Sequence, residues 1–285
     1  MPAPTPLDYA DWRARPLGAI TEAEERRAVL DLVGSASGAR ILDVGCGDGA
    51  YLGALSRAGA VAFGLDRSRA AAVRALASIR AGGGVVAGDA AALPFRAGAF
   101  DLVLAVTALC FVEDPVAAVR EMARALRPGG TLVLGELNAS STWAAWRRLR
   151  GWLGSATWRR ATFWSAGRLR RLLRGAGLVP GRARGAAFHP PLATAARLLR
   201  PLDAGLGRWV TFGAAFVAVE ARKPSSDANR AGRVTTRGRS GAPRPVGGGG
   251  RARPAPRTAD SRRRSRRVRR GRAAPPPPGA PFRRR

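Results

Sequence analysis

One histidine, one lysine and two cysteines are all that 285 residues provide of three chemically versatile side-chain types. Cys46 and Cys110 offer neither a disulfide framework nor the spacing of a metal site, so a reduced, cytoplasmic setting is expected. Lys223 stands alone against 48 arginines. With abundant alanine, glycine and proline, that imbalance reads as the codon bias of a GC-rich genome, and it weakens any inference that so many arginines must bind phosphate. No run reaches the roughly 18 apolar residues that a membrane span needs. The opening stretch MPAPTPLDYADW has no basic n-region and no apolar h-region, so no signal peptide is expected.

Acidic residues are scarce as well, 19 against 49 basic ones, for a net charge of +30. The imbalance is uneven. From Arg222 to Arg285, 21 basic residues face 2 acidic ones, whereas residues 1–221 hold 28 against 17. The final stretch concentrates Gly, Pro, Ser and Arg and has almost no large apolar residue after Val219. Too little apolar surface is available there to offset the entropy of ordering, so residues 223–285 are expected to form a disordered tail. The remaining residues suffice for one sizeable core.

Between Arg40 and Leu137 the chain alternates strand-like and helix-like runs. Strands are predicted at 39–44, 60–66, 84–89, 100–107 and 131–137, and helices at 50–59, 68–80 and 114–130. Ser68 suits the N-cap of the second helix. In the third, Pro115 lies in the first turn, and Gly129 and Gly130 are expected to end it. Such alternation predicts a parallel sheet covered by helices on both faces, with ligands bound beyond the carboxyl ends of the strands. After Leu137 the rhythm changes. A further helix is predicted at 165–178, then two closing strands within 181–189 and 208–221, paired antiparallel.

The run ILDVGCGDGAYL, residues 41–52, places a glycine loop between the first strand and its helix. Its spacing, Gly45-x-Gly47-x-Gly49 preceded by Asp43, departs from the G-x-G-x-x-G of dinucleotide sites. An acid ahead of the loop suits a cationic or zwitterionic ligand better than a pyrophosphate. Asp66, ending the second strand, could accept hydrogen bonds from both hydroxyls of a ribose. Asp89, ending the third, could accept one from an adenine amino group. Each residue also has a plainer use. Gly49 could serve close packing of helix and strand, Asp48 the helix dipole, and Cys46 could be a small filler.

Taken in order and spacing, LDVGCGDG, GLDRS, GDAAALPFRAGAFDLVLA and LRPGGTLVLGE resemble the successive motifs of the S-adenosylmethionine-dependent methyltransferases. More narrowly, they resemble the subgroup that includes the ubiquinone and menaquinone biosynthesis enzymes. The resemblance covers roughly residues 38–137 and implies an α/β fold. In it, a Rossmann-like three-layer sandwich holds a seven-stranded, mostly parallel sheet whose last strand is antiparallel. It further implies that Asp43, Gly45, Cys46, Gly47 and Gly49 line the methionine part of S-adenosylmethionine. Asp66 would then hold the ribose, Asp89 and the Ala90 N–H the adenine, and Thr107 would face the sulfonium region. The expected organisation is residues 1–38 over the cofactor, a methyltransferase domain at 39–222, and the tail.

Methyl transfer from a sulfonium is an in-line displacement in which proximity can supply about 7–11 kcal/mol, so a base is needed only for a protonated nucleophile. Glu136, Asn138 and His189 are the candidates, with His189, beside two prolines, the more ordinary structural residue. The stretch 141–164 carries five of the seven tryptophans and five arginines. It either covers the sheet edge as core or meets an apolar acceptor or a membrane interface. The first use predicts ordinary burial; the second predicts a quinone-like, polyketide or lipid acceptor. The basic tail raises a rival, a nucleic-acid methyltransferase held by phosphate neutralisation. Its only aromatic residue is Phe282, so it offers no stacking platform. In addition, TALCFVEDP stands where amino-methylating nucleic-acid enzymes carry N-P-P-[YF]. A small-molecule acceptor is therefore expected, with a non-catalytic adenosine-binding module as a further alternative.

Overall fold

A computed structural model describes residues 11–225. Residues 1–10, with Tyr9, and the basic stretch beyond Ser225 lie outside the described residues.

The strands are β1 (Arg40–Val44), β2 (Val61–Asp66), β3 (Gly84–Ala87), β4 (Phe100–Val106), β5 (Leu126–Leu137), β6 (Val179–Ala186) and β7 (Phe216–Arg222). The helices are α1 (Pro16–Val33), α2 (Ala50–Arg57), α3 (Arg69–Leu76), α4 (Pro115–Ala125), α5 (Thr142–Trp152), α6 (Ala156–Arg160), α7 (Ala166–Gly175) and α8 (Ala193–Leu206). One sheet runs in the order β3-β2-β1-β4-β5-β7-β6. All its pairs are parallel except those that β7 makes with β5 and β6.

Successive strand residues feed opposite faces, as the pleat requires. Ile41, Leu104, Val133 and Phe216 pack with Val29 and Leu32 of α1 and Leu52 and Leu55 of α2. Leu42, Val103, Leu132 and Val217 pack with Val119 and Met122 of α4 and Leu169 and Leu173 of α7. Strands buried on both faces read as unbroken apolar runs for this reason. The order reverses between β1 and β4, which opens a crevice beyond their carboxyl ends. Gly135, near the end of β5, leaves room for the buried ring of Phe216, whose Cζ a Cβ there would strike. Gly135→Ala is expected to cost about 1–3 kcal/mol of stability; denaturant titration with an unchanged m-value checks it.

Helix α4 stops at Ala125, and β5 begins at Leu126 with φ −69° and ψ 139°. The expected helix to Gly130 is thus corrected. Pro128 drives Arg127 out of the α region and brings no N–H of its own. Residues 127–130 instead form a bulge opposite Asp101, between the pairs Phe100↔Leu126 and Leu102↔Thr131. Lys223, the one lysine, closes the helix end by donating to the carbonyls of Ala123 and Leu126, each at 2.7 Å.

Two more local expectations are revised. No helix is predicted before residue 50, yet the RPLG stretch at 15–18 enters the long helix α1, with Pro16 in its first turn. Helix α8, which packs on α1, was not anticipated at all. Ser68 caps α3 as expected, accepting from the N–H of Ala71, and Ser165 likewise caps α7, accepting from that of Arg168.

Candidate functional site

At the end of β1 the backbone N–H groups of Gly45 and Cys46 both donate to the Leu65 carbonyl, at 2.7 and 3.1 Å. That ties the loop to the end of β2. Gly45, Gly47 and Gly49 have φ of 77°, 56° and 87°, a left-handed path that other residues adopt only with strain. A Cβ on Gly45 would lie 2.6 Å from the Ala108 Cβ, so the turn after β4 closes against the loop. One on Gly49 would meet Ala75 and Ser78, so this glycine lets the loop pack against the end of α3 rather than against a strand. A Cβ on Gly47 would meet nothing within 4 Å, so that side of the loop is open.

The acids beneath the loop are arranged unequally. Asp66 accepts from the N–H of Gly47 through Oδ2 at 2.9 Å and from that of Ser68 through Oδ1 at 2.8 Å. Asp43 is buried, 2% exposed, and among the described residues no hydrogen bond to its carboxylate is present. Burial, reinforced by the Asp66 charge, pushes its pKa up to about 7. The same burial drives the Cys46 thiol upward and keeps it a neutral filler. Asp48 pairs with Arg13, which also reaches Glu22 at 3.4 Å, so the N-terminal segment is fastened to the loop.

From β3, Asp89 is exposed and folds back to accept from the Ala91 N–H at 2.9 Å, with Ala90 half-buried beside it. Both follow the β3 residue, Ala87, that is in register with Asp66. From β4, Thr107 takes φ 49°, an uncommon conformation for a β-branched residue, and donates its N–H to the Gly135 carbonyl at 2.7 Å. Strain of this kind at a crevice costs about 1–3 kcal/mol and is retained where the chain needs it. The nine residues expected from the sequence therefore come from the ends of four adjacent strands.

The three candidate bases separate. Asn138 donates to the carbonyls of Thr211 and Ala214, at 2.6 and 2.8 Å, and is structural. His189 is buried, with Nδ1 donating to the Pro190 carbonyl at 3.0 Å and Nε2 facing Glu24 Oε2 at 3.1 Å. Burial opposes its charging, yet the bonds to Glu24 and Pro190 carry its pKa above the usual imidazole value. Both ring nitrogens are engaged within the fold, so the residue is structural. Glu136 is different. It is fully buried, Oε1 accepts from the Leu109 N–H at 2.7 Å, and Oε2 has no partner among the described residues. Burial pushes its pKa up to about 8.

Sequence reading missed a polar group behind this site. Thr21, Glu24 and Glu25 lie on the buried stripe of α1, and burial lifts the Glu25 pKa to about 8 despite the nearby Arg147. Arg147 itself lies between the rings of Trp143 and Trp158, 4.9 and 5.0 Å from their centroids. The spacing of those α1 residues, three, four, seven and eight apart with Ala28 and Val29, was the available signal. The tryptophan-rich stretch divides: Trp143 and Trp164 are core, while Trp146 and Trp152 are exposed.

This cradle fits an aminoacyl-nucleoside such as S-adenosylmethionine. A buried acid without a donor suits a cation, and Asp66, with lone pairs left beyond its two N–H bonds, suits a hydroxyl-bearing ribose.

Comparison with known proteins agrees. The family model described as "Methyltransferase domain" matches residues 42–134. An uncharacterized protein of Mycobacterium tuberculosis is 34% identical over 224 residues, covering 77% of this chain and 74% of that one. A demethylmenaquinone methyltransferase of Beutenbergia cavernae is 37% identical over 126 residues, 44% of this chain and about half (52%) of its own. Among solved structures, a SAM-dependent methyltransferase of Thermotoga maritima, a possible histamine N-methyltransferase, superposes with TM-score 0.59 at 24% identity. It covers 76% of this chain and 95% of that one, a likeness of fold.

Proposed function

Because the chain belongs to the S-adenosylmethionine-dependent methyltransferase family, we propose that it methylates a small, apolar or amphiphilic molecule through its nucleophilic oxygen, nitrogen or carbon. S-adenosylmethionine supplies, when bound, a methyl group on a sulfonium leaving group. What supports the reading on the acceptor is the apolar surrounding of the carboxyl ends of β4 and β5, where the core clusters of Cys110, Leu137 and Phe163 and of Trp143 end in the half-buried rings of Phe111, Trp158 and Trp12. A relative named for demethylmenaquinone points to the same class of acceptor.

In this reading Asp43 holds the cofactor's ammonium, and the left-handed Gly45–Gly49 loop lets the methionine part lie close against it. Asp66 holds the ribose with the lone pairs that Gly47 and Ser68 leave free. Asp89 and the Ala90 N–H hold the adenine, and Thr107 borders the sulfonium. Residues of the N-terminal segment, anchored by Arg13 to Asp48, close the crevice from above. Glu136 holds its unpartnered oxygen ready for a proton from the acceptor.

Calorimetric titration with S-adenosylmethionine, S-adenosylhomocysteine and NAD tests the core of this. Both sulfur compounds are expected to bind and NAD not. Asp66→Ala removes the acceptor of two N–H bonds and of the ribose, and is expected to weaken both about a hundredfold, since a hydrogen bond to a charged group is worth about 1.5–3 kcal/mol. Binding unchanged by the substitution would overturn the assignment of the ribose site.

A further inference from the structure

Among the described residues the largest exposed apolar side chains gather beyond β5. Trp209 is 89% exposed, Phe212 79%, Leu198 78% and Leu202 66%. Leu198 and Leu202 lie one helical turn apart on α8, away from the face that buries Ala196 and Asp203 against the rest of the fold. The loop that follows is not loose. Asn138 Nδ2 donates to the Thr211 carbonyl at 2.6 Å, and the Gly213 N–H donates to the Ser140 carbonyl at 2.8 Å. These bonds fix Trp209 and Phe212 beside the start of α5, whose far end presents Trp152, 85% exposed, and Leu153, 71% exposed. Water-facing side chains of this size in one region mark a docking surface.

The charges around it choose the occupant. No acid occurs between Glu136 and Asp203, and Asp203 is buried against Arg27 at 2.8 Å. Every exposed charged side chain from Ala139 to Phe212 is therefore an arginine, Arg150, Arg159, Arg197, Arg200 and Arg208 among them. A second copy seated on this face would set arginines against arginines, because a two-fold contact brings like surfaces together. Aromatic and leucine side chains ringed by cations match instead the boundary of an anionic bilayer. Trp and Phe settle there at headgroup level, and each Arg near the surface is attracted to the lipid charge.

We propose that the face formed by α8, the 207–213 loop and α5 docks on the surface of an anionic lipid bilayer. This stands apart from the identity of the acceptor, though a face beside the crevice would let a lipophilic acceptor enter without crossing water. The contact is interfacial; among the described residues no helix is long and apolar enough to cross a membrane.

The test uses the full chain with vesicles of phosphatidylcholine alone and of phosphatidylcholine mixed equally with phosphatidylglycerol, some carrying brominated acyl chains. The basic stretch beyond Arg222 contains no tryptophan, so quenching of tryptophan by brominated lipid reports the folded face and not that stretch. The wild-type chain is expected to partition onto the anionic vesicles, to be quenched there, and to remain quenched in high salt. Leu198→Ser/Leu202→Ser/Phe212→Ser keeps Trp209 as reporter and is expected to lower the partition coefficient at least about tenfold. Its melting temperature and S-adenosylhomocysteine affinity stay unchanged. Binding without quenching that high salt abolishes would overturn the proposal in favour of the basic stretch alone. Equal partition of variant and wild type would overturn it outright. So would a concentration-dependent dimer that the triple variant abolishes, which would make a second copy the occupant.

Discussion

Asp43→Asn is expected to abolish useful cofactor binding and, in the same protein, to raise its stability. Asp43 is 2% exposed, and among the described residues neither a cation nor a hydrogen-bond donor compensates its carboxylate. Its folded pKa, about 7 against an ordinary 3.8, records that cost. Between those values the folded chain keeps a proton that the unfolded chain has released. Stability therefore declines as pH rises from about 4 to 7 and stays lowered above, by at most about 4 kcal/mol. Asparagine has no such proton. The variant's advantage should grow with pH up to 7, and at pH 8 a gain of about 1–3 kcal/mol would raise the melting temperature by about 3–10 °C.

Binding should move the other way. A cationic ammonium beside an ionised Asp43 is worth about 4 kcal/mol at 4 Å and an effective dielectric constant near 20. Its loss would weaken S-adenosylhomocysteine about 10²–10³-fold. Wild-type affinity should fall up to about tenfold per pH unit below 7, as protonation of Asp43 competes with the ligand, while the variant shows no such slope. Calorimetry across pH 5.5 to 8.5 and thermal melts at the same values read both halves. An asparagine variant that binds normally would remove Asp43 from the ammonium site, whatever its melting temperature.

The elements that position this site were legible because burial on both faces leaves a simple trace. RILDV, VAFGLD and FDLVLAV are continuous apolar runs, and each lies in the sheet within a residue or two of its expected bounds. Helix α8 left no such trace. Pro201, a residue that usually ends a helix, lies inside it, and its leucines at 198 and 202 face water while alanine and aspartate face inward, so its pattern runs opposite to that of a core helix. The overlong helix at 114–130 came from giving two glycines precedence over Pro128, whose effect on Arg127 acts earlier in the chain.

Function was legible where it depends on backbone shape and obscure where it depends on tertiary contact. Three glycines and an acid announce a loop, and the positive φ values at Gly45, Gly47 and Gly49 supply the physical reason. Nothing local, by contrast, sets His189 apart from Glu136 as a proton acceptor. The difference lies in Glu24, 165 residues away, which occupies one imidazole nitrogen, and in the absence of any described partner for Glu136 Oε2. Buried glutamates on α1 were written in the sequence as polar residues in an apolar stripe, a pattern that marks either a misfit or a site.

Glu136→Gln is expected to lower kcat about 10²–10⁴-fold if the acceptor's nucleophile carries a proton, the range that general-base catalysis supplies. The amide oxygen can still accept from the Leu109 N–H, as Oε1 does at 2.7 Å, so the turn at 107–111 and the crevice should keep their shape. S-adenosylhomocysteine affinity should accordingly stay close to wild type, and the melting temperature should hold or rise, as for Asp43, since a buried carboxyl is made neutral. Direction in pH separates chemistry from structure. With a carboxyl titrating at about 8, wild-type kcat/KM should climb as pH rises toward 8 and then level, because only the ionised form accepts a proton. The glutamine variant should lose that limb and keep only the titration of Asp43 below pH 7 and that of the acceptor itself. A merely structural Glu136 would show the reverse, a lower melting temperature with the pH profile intact. Should the variant retain both turnover and profile, methyl transfer here needs no base, and the nucleophile is one, such as an enolate carbon or a neutral amine, that arrives with its lone pair already free.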